Sequence, residues 1–409
     1  MRYSFLDLLA CPYTKEPFVL VGAQEDHRPI PVAYVEKTAR VSQPDAIVGP
    51  MPADGVADTE TSKLLASVAS APGDPARNEA VIVREGLLVA CNSGRWYPIV
   101  DEIPQVLPDS LRDWDADIAF FRERIAPRLP PALAERLMQA HGSADRKPKP
   151  GDNYKSSEMS ILDKIDDPEA FLGPGYLSPF NPGWLGHSAD LIRGFAVCLS
   201  FMKLTQGCRV LDAGCGYSWT TEWMMKMGLR PVGLEVSRVY LDVGRKRMGP
   251  NNQPHLVVGD TENLPFQDGS FQTVLGFDAF HHIPNRAVAM RQFNRALKPG
   301  GRIVLVEPGE IQETTPAAIE AMRRFGTMEV GMELKDVQAY IDGIDEFDVA
   351  KETFLTAFTS DDGRPSVAAA DLKKRDFIGW GLYTVDKREV GFQRIMSGAR
   401  DAAKAILGR

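Results

Sequence analysis

From residue 189 onward, short apolar runs alternate with longer segments in which apolar residues recur at helical spacing. The runs CRVLDAG, RPVGLEV and HLVVGD are typical of buried strands, and the segment WTTEWMMKMG between the first two is typical of a helix. Strands that alternate with helices indicate βαβ units and a parallel sheet covered on both faces. The pattern therefore predicts an α/β fold with a doubly wound sheet.

Changes in this pattern divide the chain into three predicted parts. Residues 1–108 carry short strands bounded by Gly, Pro and Asn, interrupted at about 23–78 by an insertion rich in Pro, Ala, Asp and Ser. Residues 109–188 form a helical and Gly/Pro-rich connector or lid. Residues 189–409 form the α/β domain with an extension that ends in a charged amphipathic helix.

The connector contains two kinds of sequence. Its segment 111–140 has helical spacing but is split by Pro127 and Pro130, which predicts two helices joined by a bend. In the segment 154–184, repeated glycines and prolines argue against a long regular element. This segment is also rich in aromatic residues, which either pack the loop onto the core or line a substrate pocket.

Composition and charge narrow the class of protein. The 409 residues contain 47 Lys and Arg against 55 Asp and Glu, and the formal net charge of −8 disfavours a broad nucleic-acid or anionic-lipid surface. No uncharged run is long enough to span a membrane. The five scattered cysteines do not form a disulfide pattern, so we expect a reducing, cytoplasmic setting.

The sharpest chemical signal is the segment VLDAGCGYS, in which an apolar strand runs directly into Gly214 and Gly216. Glycines let the backbone turn tightly and approach a ligand without an intervening Cβ atom. Two acidic residues follow at the ends of the next two strands. Glu235 stands where a carboxylate accepts hydrogen bonds from ribose hydroxyls, and Asp260 could bind an adenine amino group. Each acid alone could equally be a helix cap or a solvated charge.

Four segments together resemble motifs of class I S-adenosylmethionine-dependent methyltransferases: VLDAGCGYS, GLEVS, GDTENLPFQDGSFQTVLGFDAFHHIPN and RALKPGGRIVLVEP. The resemblance spans about residues 205–309 and implies a Rossmann-like, seven-stranded sheet whose last strand is antiparallel. It implies S-adenosylmethionine as cofactor, with Asp212 and Gly214 toward its methionine end, Glu235 at the ribose, and Asp260 with Thr261 at the adenine. The implied cofactor-binding residues are Asp212, Gly214, Cys215, Gly216, Glu235, Asp260, Thr261, Phe277 and Asp278. A nucleotide-redox function is disfavoured because the glycine turn lacks the full G-x-G-x-x-G pattern.

Methyl transfer from a sulfonium requires mainly positioning and exclusion of water, and a base is useful when the acceptor is a hydroxyl. His281 and His282 follow the fourth strand, and Glu307 follows the fifth, so these three are the candidate catalytic residues. Adjacent side chains on a helical turn diverge, so at most one of the two histidines is expected to face the acceptor. Either histidine could instead pack the helix against the core or hold a loop in place.

The segments FLDLLACPYTKEPFVL and LLVACNSGRWYPIVDEIPQVLP resemble the two halves of a Trm112-like zinc ribbon, a small fold that accompanies or activates methyltransferases. Such a ribbon closes a zinc site with two C-x-x-C knuckles. Here Thr14 replaces the second cysteine after Cys11, and Gly94 replaces the one after Cys91. We therefore expect no metal, and an accessory, docking or dimerisation role that includes a homodimer.

The sequence thus predicts a methyltransferase. The segments EPGEIQETTPAAIEAMRRFGTMEV and LGPGYLSPFNPGW are similar to methyltransferases encoded with glycan-building enzymes, which favours a small-molecule or saccharide hydroxyl as acceptor. Two alternatives stay open: modification of RNA or a translation component, which the acidic balance disfavours, and a non-catalytic scaffold that binds the cofactor.

Overall fold

A computed structural model describes residues 1–28, 59–68, 80–141, 144–355 and 380–389. Most of the predicted insertion at 23–78 and nearly all of the predicted C-terminal amphipathic helix lie outside these residues. Among the described residues, no helix has both the length and the apolar character needed to cross a membrane.

Strands and helices are numbered separately along the chain. The strands are β1 (Phe18–His27), β2 (Val81–Ala90), β3 (Trp96–Val100), β4 (Ile103–Val106), β5 (Arg209–Ala213), β6 (Arg230–Glu235), β7 (His255–Gly259), β8 (Phe271–Phe277), β9 (Leu297–Pro308), β10 (Lys351–Leu355) and β11 (Trp380–Asp386). The helices are α1 (Thr59–Val68), α2 (Trp114–Phe120), α3 (Pro131–His141), α4 (Asp152–Met159), α5 (Pro168–Leu177), α6 (Leu185–Phe201), α7 (Trp219–Lys226), α8 (Arg238–Met248), α9 (Arg286–Ala296), α10 (Pro316–Phe325) and α11 (Leu334–Ile341).

Seven of the strands form the predicted doubly wound sheet, in the order β7-β6-β5-β8-β9-β11-β10. The pairs from β7 to β9 are parallel, whereas β11 runs antiparallel to both β9 and β10. Alternate residues of β5 enter different layers, because Val210 packs with Phe195 of α6 and Leu211 packs with Phe293 of α9. The α/β fold class, including the antiparallel last strand, is confirmed.

The amino-terminal strands continue this sheet. Strand β4 pairs in parallel with β7, so the described strands form one sheet of eleven in the order β1-β2-β3-β4-β7-β6-β5-β8-β9-β11-β10. A second contact lies nearby, where Ala10 N donates to Pro265 O at 2.9 Å and Gln267 N donates to Leu8 O at 2.9 Å. The sequence predicted a small unit that merely precedes the α/β domain. Strand pairing joins them because β7 would otherwise expose an unpaired edge.

The turns that hold Cys11 and Cys91 meet at the carboxylate of Glu16. Its Oε1 atom accepts hydrogen bonds from the hydroxyls of Thr14 at 2.7 Å and Ser93 at 2.5 Å, and its Oε2 atom accepts one from the amide of Asn92. Cys11 Sγ lies 3.7 Å from the hydroxyl oxygen of Tyr97. A single carboxylate thus links the two turns through hydrogen bonds.

The connector contains the two predicted helices, α2 and α3. They are joined by a π-helical turn (Phe121–Ile125) and a 3-10 turn (Ala126–Arg128) that contains Pro127. Leu133 and Leu137 of α3 pack with Trp96 of β3. The Gly/Pro-rich segment differs from expectation, because it contains the ten-residue helix α5. Asp167 begins this helix by accepting a hydrogen bond from Ala170 N at 3.0 Å, and Pro168 occupies its first turn, where a proline is tolerated.

Candidate cofactor and acceptor site

The glycine turn begins where β5 ends. Gly214 has a φ of +75°, and a Cβ atom there would lie 2.8 Å from Cβ of Ala279. Gly216 has a φ of +48°, and a Cβ atom there would meet no protein atom within 4 Å. Both positions therefore favour glycine, the first because of packing against Ala279 and the second because of its left-handed backbone. Open space beside Gly216 is what a ligand-binding turn requires.

Asp212 lies in β5, two residues before Gly214, and its side chain binds the helix that follows the glycine turn. Its carboxylate is buried and accepts hydrogen bonds from the hydroxyls of Thr220 at 2.6 Å and Thr221 at 2.5 Å, both in the first turn of α7. Burial raises the pKa of Asp212 to about 6. The sequence pointed Asp212 toward the methionine end of a cofactor, whereas the structure directs its carboxylate to the helix that follows the glycine turn.

Glu235 closes the turn from the neighbouring strand. Its Oε2 atom accepts a hydrogen bond from Gly216 N at 3.0 Å, and its Oε1 atom accepts one from Ser237 N at 3.0 Å. The side chain is buried at the end of β6, and this burial raises the pKa of Glu235 to about 7. The predicted neighbours Gly216 and Glu235 are thus in direct contact.

Asp260 has a partner that the sequence gave no reason to expect. Its Oδ2 atom accepts hydrogen bonds from Lys155 Nζ at 2.9 Å and from Asn263 Nδ2 at 2.7 Å, and its Oδ1 atom accepts one from Glu262 N at 3.0 Å. Lys155 also lies 2.9 Å from Oε2 of Glu262. Because Lys155 precedes Asp260 by 105 residues and belongs to the connector helix α4, no local motif signals this pairing.

The three candidate catalytic residues, Glu307, His281 and His282, differ in burial and in their contacts. Glu307 is fully buried, where it accepts hydrogen bonds from Phe280 N at 2.8 Å and, at 3.2 Å, from Ala279 N. His281 Nδ1 lies 2.7 Å from Oε2 of Glu307. Burial by itself would lower the pKa of His281, but hydrogen bonds to Glu307 and Glu329 raise it to about 10. The ring of His282 lies beside that of His281, with centroids 4.0 Å apart, so the two side chains do not diverge as the sequence predicted. Unlike His281, His282 keeps 32% of its side chain exposed.

A cavity of about 430 Å³ unites most of these residues. This volume lies within the range of small-molecule pockets. Nine of the twelve predicted site residues line it, whereas Asp212, His281 and Glu307 stand behind its wall: the lining residues are Gly214, Cys215, Gly216, Glu235, Asp260, Thr261, Phe277, Asp278 and His282. The sequence missed several others, among them Lys155, Glu158, Tyr217, Tyr240, Phe325 and Glu329.

Phe277 and Asp278 lie where the fourth parallel strand, β8, ends. The ring of Phe277 packs edge-on against Trp219 with centroids 5.5 Å apart. Asp278 has a φ of +54°, and burial raises the pKa of its carboxyl. Both residues line the cavity beside the glycine turn, so the ends of β5 and β8 form one continuous wall.

Comparison with known proteins identifies the class of this domain. Residues 211–305 match the family model described as a methyltransferase domain. The chain therefore contains a class I methyltransferase domain, and both the predicted resemblance and its implied cofactor, S-adenosylmethionine, are confirmed.

Two curated relatives illustrate the likeness. Demethylmenaquinone methyltransferase of Staphylococcus haemolyticus is 39% identical over 113 residues, which are 27% of this chain and 47% of that protein. Methyltransferase GfsG of Streptomyces halstedii is 30% identical over 146 residues, which are 34% of this chain and 51% of that protein. The chain spans about half the length of these relatives.

Solved structures show more distant likenesses. A complex between the Haloferax volcanii Trm112 methyltransferase activator and a putative methyltransferase aligns with a TM-score of 0.39 and 20% identity, covering 51% of this chain and 96% of that chain. An S-adenosylmethionine-dependent methyltransferase from Mesorhizobium loti aligns with a TM-score of 0.38 and 18% identity, covering 47% of this chain and 96% of that chain.

Proposed function

We propose that this chain is an enzyme that transfers a methyl group from S-adenosylmethionine to a hydroxyl of a small-molecule acceptor. The observation that carries the proposal is one cavity lined both by the glycine turn with Glu235 and by His282. A methyl donor and an acceptor must meet in one water-excluding space, and this cavity offers groups suited to each.

On the donor side, the residues present fit the cofactor. The turn at Gly216 leaves room for a ligand beside the backbone, and Glu235 offers carboxylate oxygens to ribose hydroxyls. Asp260 keeps acceptor capacity at Oδ1, which receives one hydrogen bond from Glu262 N. When bound, the cofactor supplies an electrophilic methyl group on a positively charged sulfur.

On the acceptor side, His282 is the candidate residue that lines the cavity. Glu307 holds the backbone of the preceding turn through Ala279 and Phe280, so we assign it a positioning role. His281 is fastened to Glu307 and shares that role. As the oxygen of the acceptor hydroxyl bonds to the methyl carbon, the bond from sulfur to that carbon breaks and the sulfur keeps its electron pair. In this proposal His282, which lines the cavity, accepts the hydroxyl proton.

The acceptor is a small molecule in this proposal because the cavity has a small-molecule volume and connector residues form part of its lining. Ile161 of the connector, Leu191 of α6 and Phe325 of α10 also line it and provide apolar surface for an acceptor. The relative that acts on demethylmenaquinone supports an acceptor of this size class. A saccharide hydroxyl remains the prediction from the sequence.

Binding of S-adenosylhomocysteine, measured by isothermal titration calorimetry, tests the donor site. Gly214→Arg should abolish binding, and Gly216→Ala should weaken it about tenfold or more, because its Cβ atom enters the space beside the turn. Gly249→Ala is the matched control, since Gly249 also has a positive φ, +73°, and open space within 4 Å. Equal affinity in the Gly216 and Gly249 variants would place the ligand elsewhere.

Incubation of a cell extract with isotopically labelled donor tests turnover. Label in a low-molecular-weight or saccharide fraction supports the proposal, whereas label in RNA favours the first alternative function. Binding of S-adenosylhomocysteine without label in any fraction would favour a non-catalytic scaffold. The Gly214→Arg variant serves as the background measurement.

A further inference from the structure

We propose that His281, His282 and Glu329 bind a divalent transition-metal ion beside the acceptor part of the cavity. These residues, together with Glu158, are called the histidine cluster below. The two histidines follow β8, Glu329 follows α10, and Glu158 lies on the connector helix α4. Only the role given to the ion in methyl transfer rests on the proposed function.

The spacing of the side chains suits a shared ion. One ligand atom from each of His281, His282 and Glu329 lies within 4.8 Å of the others. His281 Nε2 is 3.5 Å from Oε2 of Glu329. Two atoms bound to one ion at ordinary metal–ligand distances are about 3.0 to 3.5 Å apart, so this pair needs little movement to ligate the same ion.

The other nitrogen of each ring is already occupied. His281 Nδ1 lies 2.7 Å from Oε2 of Glu307, and His282 Nδ1 lies 2.6 Å from the carbonyl oxygen of Met328. Since a carbonyl accepts hydrogen bonds only, His282 donates from Nδ1, and the same assignment suits His281 beside a carboxylate. Metal-binding histidines are commonly oriented by such contacts at one ring nitrogen and bind the ion through the other. At His281 the ion would displace the proton that Nε2 shares with Glu329.

Glu158 brings a second carboxyl group to the histidine cluster. Its Oε1 atom is buried and accepts no hydrogen bond from the described residues, and it lies 3.6 Å from His282 Nδ1. Glu329 Oε1 is 3.7 Å from that same nitrogen. A buried carboxylate oxygen without a donor is costly, and a divalent cation in the histidine cluster would compensate it.

The donor set selects the class of ion. Two imidazole nitrogens with carboxylate oxygens suit Zn²⁺ or Mn²⁺ better than Mg²⁺ or Ca²⁺, which prefer oxygen ligands alone. Three protein ligands leave a coordination position open for an acceptor hydroxyl. An ion there would lower the pKa of that hydroxyl. With His282 bound to the ion, Glu158, which lines the same cavity, is the carboxylate proposed to accept the released proton.

The test titrates Zn²⁺, Mn²⁺ and Mg²⁺ into untagged, chelator-treated full-length protein by isothermal titration calorimetry. We expect one Zn²⁺ or Mn²⁺ per chain and weaker binding of Mg²⁺. Glu329→Gln should weaken Zn²⁺ binding at least about tenfold because it removes an anionic ligand. Glu320→Gln, an isosteric change at an exposed residue of α10, should leave binding unchanged.

Substitution with Co²⁺ gives a second readout, because histidine ligation produces visible absorption bands that Glu329→Gln should alter. Stoichiometric binding that is equal in wild type and Glu329→Gln, or no binding of Zn²⁺ and Mn²⁺, would overturn the proposal. Titration of S-adenosylhomocysteine into the same samples separates the two ideas. If S-adenosylhomocysteine binds but the metal does not, only the metal-site proposal is rejected. If the metal binds but S-adenosylhomocysteine does not, the proposed function is rejected.

Discussion

Glu235 and Asp260 end neighbouring parallel strands, yet the protein holds them in different ways. Glu235 is bound by the backbone amides of Gly216 and Ser237, both close to it in the α/β domain. Asp260 is bound by Lys155, which arrives from the connector. Glu235 is therefore held by contacts within the α/β domain alone, whereas Asp260 also depends on a helix that precedes that domain.

Substitution of Lys155 should have the largest effect, because Lys155 is the connector residue that holds Asp260. Lys155→Met leaves the buried carboxylates of Asp260 and Glu262 without their cation, so we expect a loss of about 3 kcal/mol in the free energy of unfolding. Chemical denaturation measures this loss. Hydrogen exchange should show faster opening of α4 than in the wild type.

A variant that lacks the negative charges of both Asp260 and Glu262 is the control for this prediction. In the Asp260→Asn, Glu262→Gln protein, Lys155→Met should cost much less, because no uncompensated carboxylate is left. An equal cost in both backgrounds would mean that Lys155 acts through packing of its alkyl chain.

Glu235→Gln should have the next largest effect, which we expect on the affinity for the ligand. The substitution replaces a charged acceptor with a neutral one, so S-adenosylhomocysteine should bind about 10- to 100-fold more weakly in isothermal titration calorimetry. Asp268→Asn is the control, because Asp268 is an exposed acid between β7 and β8 that is not among the residues lining the cavity. If Glu235→Gln binds as tightly as Asp268→Asn does, the ribose lies elsewhere.

The pH dependence of binding should show a smaller effect of about tenfold. The pKa of Glu235 is raised to about 7, and the ionised form is the hydrogen-bond acceptor, so S-adenosylhomocysteine should bind about tenfold more weakly at pH 6 than at pH 8. Glu235→Gln should reduce this dependence, and an unchanged profile in that variant would assign it to another group.

The same shift acts on stability in the opposite direction. Because the folded-state pKa of Glu235 lies above the unfolded value of 4.5, its contribution to stability is fully present below pH 4.5 and is lost as the pH rises through about 7. Cofactor affinity and the stability of the unliganded protein should therefore change with opposite signs over this range.

Local patterns were sufficient to predict the glycine turn and the acid beside it. Gly214, Gly216 and Glu235 all lie within one β-α-β unit, where the strand ends and the turn dictate their positions. That Asp212 approaches the methionine end stays a prediction, and the same reasoning did not show that its carboxylate binds two threonines of the next helix. It also could not choose between His281 and His282, whose adjacent rings take different partners.

Long-range contacts were beyond such patterns. Glu329 and Glu158 reach the histidines from α10 and α4, and neither belongs to a recognisable motif. The pairing of β4 with β7 could not be predicted either, because an apolar strand pattern does not indicate which strand will be its neighbour. Two of the groups that line the cavity, Glu158 and Glu329, therefore could not be named from the sequence.

By itself, the sequence determined the α/β class, the parallel strands and the glycine turn with its nearby acid, because hydrophobic periodicity and backbone freedom act over short stretches of chain. The tertiary structure alone decided that the amino-terminal strands extend the sheet, that Lys155 pairs with Asp260 and that the histidine cluster assembles. Strand edges and buried charges must find partners wherever the fold brings them, and their distance along the chain carries no signal.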